Sequence, residues 1–206
     1  MGWWNPKAKI PIESEEFGKI VRDLVFECPS SHRHEVSDGK RPDGKKSKST
    51  FYQPVSARNT SFHARGISGG LFLTILGEIA GPLKRKDRYI RVENGQTVEE
   101  VAASAVKRLG SDAMKRDLLV FAPRSDMPDT EAIFYYIRNA FAHGSFEVQD
   151  VDCRRMYLLE SDKNGKTLAM MRLSEQTLLR YAQLAHLSVK EIKNLRQGEH
   201  KRKRPE

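Results

Sequence analysis

Only two cysteines, Cys28 and Cys153, stand in the 206 residues, far apart in the sequence. That excludes a disulfide framework and fits a reducing cytoplasm. No run of about 18 apolar residues occurs, so no membrane-spanning helix is expected. The start, Met1-Gly-Trp-Trp-Asn-Pro, lacks a basic stretch leading into an apolar one, so no secretory leader is expected. Gly66-Ile-Ser-Gly-Gly70 lacks the Gly-Lys-Ser/Thr of a phosphate-binding loop and reads as a turn leading into a helix. Cys28, His32 and His34 lie close together, but no fourth ligand is evident and the spacing matches no common zinc pattern. Neither a metal nor a cofactor is therefore expected. Internal repeats are absent as well. Trp3 and Trp4 are equally suited to docking on the core, or on a partner, and to stacking on bases.

What is present is a chain 38% hydrophobic and 31% charged, apolar enough for one core. We expect a single domain over 1–196 and a disordered basic tail over 197–206. The net charge is +9, and its placement tells more than its size. Residues 28–66 carry eight Lys/Arg against three acids, and residues 190–206 carry seven against three, so these two segments hold the whole excess. Such a basic excess suits a polyanion, because binding phosphates releases their counterions. Nucleic acid is the partner this charge favours; solubility alone is the blander explanation. In the first segment, Lys45, Lys46, Lys48, Arg58, His63 and Arg65 are the candidate RNA contacts.

The periodicity predicts a helix over 13–27 through Phe17, Ile20, Val21, Leu24 and Val25. Residues 28–66, with Pro29, Pro42, Pro54 and Gly-Lys-Lys-Ser-Lys-Ser, read as a long, mostly irregular loop. The stretch 67–80 reads as a buried helix stopped by Gly81-Pro82, and 89–92 as extended. Thr97-Val-Glu-Glu100 is a capping box opening a helix to about Leu109, ended by Gly110. Residues 112–122 fit helix and strand equally. A helix is predicted over 131–143, capped by Asp129 or Thr130 and followed by Gly144. Asn164-Gly165 marks a hairpin, and Ser174 opens one last helix to about residue 195. His186 lies on that helix as a packed or half-exposed histidine.

The chemistry concentrates in Ile133-Phe-Tyr-Tyr-Ile-Arg-Asn-Ala-Phe-Ala-His-Gly-Ser-Phe146. Asn139 and His143 are four apart and share a helix face, with Arg138 beside them. An imidazole can remove a ribose 2′-hydroxyl proton near neutral pH. A guanidinium can hold the charge gathering on the attacked phosphate, and Asn139 can orient the histidine or a phosphate oxygen. This is a route to RNA cleavage without metal. With 19 Arg and 6 His in the chain, chance supplies Arg-x4-His about half a time. Requiring Asn after Arg lowers that to about 0.02. A second copy, Arg58-Asn-Thr-Ser-Phe-His63, falls in the Pro- and Ser-rich loop and reads as coincidence or an accessory contact.

Tyr-Tyr-Ile-Arg-Asn-Ala-Phe-Ala-His-Gly-Ser-Phe resembles the motif helix of the HEPN superfamily, whose signature is Arg, a polar residue, three to five residues and His. The hairpin at Asn164-Gly165 and Leu173-Ser-Glu-Gln-Thr-Leu-Leu-Arg-Tyr-Ala-Gln-Leu184 resemble a plasmid- and phage-associated HEPN branch. The resemblance spans about 130–187. It implies a mainly α fold, a HEPN-like helical bundle with a β-hairpin inserted after the motif helix. It also implies a homodimer with two motifs facing across a cleft. The implied activity is that of a metal-independent endoribonuclease, a hydrolase acting as a toxin or in phage defence. Arg138 and His143 would be catalytic and Asn139 supporting, leaving a 2′,3′-cyclic phosphate and a 5′-hydroxyl. Single-stranded RNA is the expected substrate, since in-line attack needs a freely turning linkage. Many such toxins carry a modifiable Tyr two residues after the His; here Ser145 stands there.

A plainer role exists for the same residues. His143 can be a cationic helix C-cap and Arg138 a surface ion-pair partner. The rival functions are a non-catalytic RNA-binding HEPN module and an accessory subunit bound to an antitoxin or a defence-complex partner.

Overall fold

The computed structural model describes residues 14–29, 31–40, 46–54, 61–84 and 87–202, with side chains over 14–29, 61–84 and 87–195. The fold is α/β, which corrects the expectation of a mainly helical HEPN-like bundle. At its centre lies a five-stranded mixed sheet. It is built from β3 (Tyr89–Arg91), β4 (Leu118–Phe121), β5 (Phe146–Val151), β6 (Arg154–Lys163) and β7 (Lys166–Ser174), in the order β3-β4-β7-β6-β5. β3 and β4 are parallel; the other neighbours are antiparallel.

Why the sheet escaped the sequence is physical. β3 lies where 89–92 is expected to be extended, but its three residues, and the four of β4, are too few for a period to declare a sheet. β4 is also covered on both faces: Leu119 and Phe121 enter the main core, while Leu118 and Val120 enter a second one. A strand buried on both faces shows no alternation of apolar and polar residues. The second core is closed by α3 (Val98–Leu109), whose Val98, Ala102 and Ala105 pack with Met170. The predicted capping box opens that helix, with the Glu100 N–H donating to Thr97 Oγ1 at 3.3 Å and the Thr97 N–H to Glu100 Oε2 at 3.2 Å.

On the opposite face sit α1 (Glu15–Val21), α2 (Gly70–Lys84), α4 (Asp129–Ala142) and α5 (Glu175–His186), sharing the main core. α1 runs into a π-helical turn over Arg22–Phe26, so the helix expected at 13–27 is present but changes its winding. α2 passes through Gly81-Pro82 instead of stopping there, with Pro82 in its last turn. Residues 110–115 form a 3₁₀ turn leading to β4.

Three further expectations are corrected. The segment 28–66 contains a β-hairpin, β1 (Ser31–Lys40) with β2 (Lys46–Pro54), not only an irregular loop. The last helix is two: α5 ends at His186 and α6 (Val189–Arg202) follows. The break is chemical, because Ser188 and Glu191 form a fresh capping pair. The Ser188 N–H donates to Glu191 Oε2 at 2.7 Å, and the Glu191 N–H donates to Ser188 Oγ at 3.3 Å. α6 also carries helix into the segment expected to be a disordered tail, as far as Arg202. The hairpin at Asn164-Gly165 is as expected, with both turn residues at positive φ (53° and 72°), the form that matches strand twist.

Candidate functional site at the end of the motif helix

α4 leaves β4 and carries the chain across the sheet to the far edge strand β5, packing on β6 as it goes. Its N-terminus is not capped by Asp129 or Thr130 as expected. Asp129 pairs with Arg91 at 3.1 Å, and the Thr130 hydroxyl donates to the Phe72 carbonyl at 2.8 Å. Ile133, Phe134, Tyr136, Ile137, Ala140 and Phe141 face the core.

The C-terminus of α4 is built with care. The His143 N–H donates to the Asn139 carbonyl at 2.9 Å, the Gly144 N–H to Phe141 at 3.2 Å and the Ser145 N–H to Ala140 at 2.8 Å. Gly144 takes φ 69°, which a side chain would resist. The last two bonds form a Schellman stop, which accounts for Gly144 by backbone needs alone. Beneath it Phe141 packs on Phe146 (centroids 5.0 Å apart) and Tyr157 (6.1 Å), with Phe17 against Phe146 at 5.9 Å. The Ser145 carbonyl accepts from the Glu160 N–H at 2.9 Å, tying the stop to β6. His143 therefore stands exposed on a rigid mount.

Asn139 is half-buried one turn earlier on the same side. Arg138 points elsewhere: half-buried, its Nε donates to the Val25 carbonyl of the π-helical turn at 3.2 Å. Five residues of α-helix separate Arg138 from His143 by roughly 140° and 7.5 Å of rise. The structure thus brings Asn139 and His143 to one face, and turns Arg138 toward α1's extension. The terminal amino groups of Arg138 bond to no group among the described residues.

The RNA contacts expected in 28–66 fare differently. Lys45 and Arg58 lie outside the described residues. Lys46 and Lys48 are on β2, paired with Lys40 and Ser37. Arg65 is structural: its Nη1 donates to the Ala185 carbonyl at 2.7 Å, and its Nη2 to those of His186 at 2.8 Å and Leu187 at 3.1 Å. It caps the C-terminus of α5, where a cation is favoured. His63 is partly buried, its ring edge 5.6 Å from Phe72, so it is a packing residue rather than an open contact.

Burial also lowers the His63 pKa. The folded state then resists the charged form, while the unfolded chain protonates near its ordinary value of about 6.5. The contribution is complete above that value and is lost as pH falls through the depressed one. In His63→Phe the drop in melting temperature between pH 7 and pH 5 should shrink; an unchanged slope would remove His63 as its source.

Cys28 is fully buried, and burial pushes its thiol up to about 12, against the opposing pull of Arg138 and Arg65. It stays neutral, which makes it a poor metal ligand. Cys153 is exposed in the β5–β6 turn, beside Asp152, both at positive φ (59° and 50°). A groove of about 850 Å³ beside that turn is lined by Arg154, Arg155 and Arg180. Glu175 holds Arg155 at 3.0 Å and Glu78 holds Arg180 at 2.5 Å, so most of its charge is already answered.

Sequence reasoning singled out neither Asp23 nor Glu27. Among the described residues they form with His186 the group of His, Cys and acids whose ligand atoms converge. Their four-residue spacing in the first helix was the only available signal. No described helix is long and apolar enough to cross a membrane. No family model, no curated protein and no solved structure matches the chain.

Proposed function

We propose that this is a cytoplasmic RNA-binding protein that cleaves single-stranded RNA without a metal, through His143 as the group that takes the 2′-hydroxyl proton. The observation that carries the reading is the exposed imidazole on a rigidly stopped helix end, with Asn139 one turn behind it. A positioned base of this kind contributes about 10²–10⁴-fold to proton transfer. The net charge of +9 supplies attraction for the phosphate backbone. The likeness of 133–146 to the HEPN motif supports the same chemistry, as a toxin or phage-defence effector, without the helical bundle of that family.

Arg138 enters this reading in a changed role. Its Nε is committed to the π-helical turn, so it acts from behind the helix end in its own chain. Two copies of α4 meeting at their C-termini would let the terminal amino groups of one Arg138 reach a phosphate held by the other copy's His143. A homodimer is therefore part of the proposal.

The test is purified protein with labelled single-stranded RNA in EDTA. Fragments ending in 2′,3′-cyclic phosphate are expected, together with RNA affinity that falls steeply with salt. Affinity without fragments leaves a non-catalytic RNA-binding module. Neither affinity nor fragments would turn the reading to an accessory subunit of a larger complex. A strict need for added magnesium would overturn the mechanism.

A further inference from the structure

Asp23, Glu27 and His186 take no part in the reading above. Asp23 lies in the π-helical turn, Glu27 is the residue that ends it, and His186 is the last residue of α5. One carboxylate oxygen from each acid and one ring nitrogen of His186 lie within 4.8 Å of one another. Ligand atoms about 2.0–2.3 Å from a shared ion can be at most about 4.6 Å apart, so the three need only draw in slightly.

We propose that these three side chains form a binding site for a divalent transition metal, with Zn2+ the preferred ion, departing from the expectation of a metal-free protein. The supports lie on both sides of the cluster. Asp23 is 8% exposed, and its Oδ1 accepts from Arg22 Nε at 2.8 Å, which holds the carboxylate in place beside the cluster. The His186 ring is held against the turn, its Nε2 3.3 Å from the Asp23 carbonyl oxygen; such second contacts orient a ligating histidine. Both backbones that carry the ligands are pinned from outside. Arg65 binds the carbonyls of Ala185, His186 and Leu187, and Arg138 binds that of Val25. Glu27 and His186 are exposed, so an ion can enter from solvent.

The donor set selects the ion. One imidazole nitrogen with two carboxylate oxygens suits Zn2+ or Mn2+, and Zn2+ binds tighter in such sites. Mg2+ favours oxygen ligands and retained waters, so it competes poorly. Three protein ligands leave one position for water or an anion.

The experiment is calorimetric titration of chelator-treated full-length protein with Zn2+, with Co2+ absorption as a second readout of the ligand set. Wild type should bind one Zn2+ tighter than about 10 μM. Glu27→Gln and His186→Ala should each weaken binding at least tenfold and change the Co2+ spectrum. Both positions are exposed, and circular dichroism checks that the variants fold. His143→Ala should titrate as wild type, which separates this site from the cleavage reading. Wild-type affinity no better than millimolar overturns the proposal. So does tight binding that both variants retain, since the ion would then sit on other residues.

Discussion

Replacing His143 by alanine should reduce RNA cleavage in EDTA by about 10²–10⁴-fold, the usual worth of a positioned general base, and leave the fold almost untouched. The second half of that expectation follows from the helix end. The bonds that stop α4 are made by backbone N–H groups of His143, Gly144 and Ser145, and none needs the imidazole. What the fold loses is at most the attraction of a charged ring for the helix C-terminus, about 0.3–1 kcal/mol. For a chain of this length that lowers the melting temperature by no more than about 4 °C. The structure makes His143 the better diagnostic than Arg138. Alanine at Arg138 also strips a donor from the Val25 carbonyl, so lost cleavage there would mix chemistry with packing. Unimpaired cleavage in a folded His143→Ala protein would end the assignment.

The largest stability effect is expected at Arg65→Ala. One guanidinium answers three carbonyls at the end of α5, and no other described donor bonds to those of Ala185 and His186. Hydrogen bonds from a charged donor are worth about 1.5–3 kcal/mol each when buried. Partial access to water discounts the set, and we expect a loss of about 3 kcal/mol. The melting temperature should fall by about 6–12 °C. Arg65→Lys should recover only part of this, because one ammonium lacks the planar fork that spans the carbonyls. RNA affinity of the folded variant, measured at low temperature, should stay within about twofold of wild type. A loss of affinity at constant stability would instead return Arg65 to the list of RNA contacts.

Helices were more legible than strands here, and the reasons are local. Thr97 and Glu100 announce α3, and Ser14 and Ser174 each accept a bond from the third residue of the helix they open. Ser188-Val-Lys-Glu191 carries the same signature, but the apolar period runs on past it and hides the break. Pro82 points the other way: α2 continues two residues past it, although a proline in the last turn forfeits the bond its N–H would have made to the Glu78 carbonyl. β6 and β7 showed themselves through Asn164-Gly165, whereas β1 and β2 are polar and carry no apolar alternation to read. At the site, the spacing of Asn139 and His143 translated directly into a shared face. The direction of Arg138 did not, because it depends on the Val25 carbonyl at the end of the first helix, 113 residues earlier in the chain. The roles of Arg65 and His186 are likewise set by partners distant in sequence.

The contrast between the two thiols has a practical consequence. Cys28 is sealed and protonated, while Cys153 sits open at a hairpin tip. The native chain thus offers one attachment point for a maleimide dye or nitroxide, with no engineering of the background. In a homodimer the two labels would report a single inter-copy distance, a ruler for how the subunits are arranged on and off RNA.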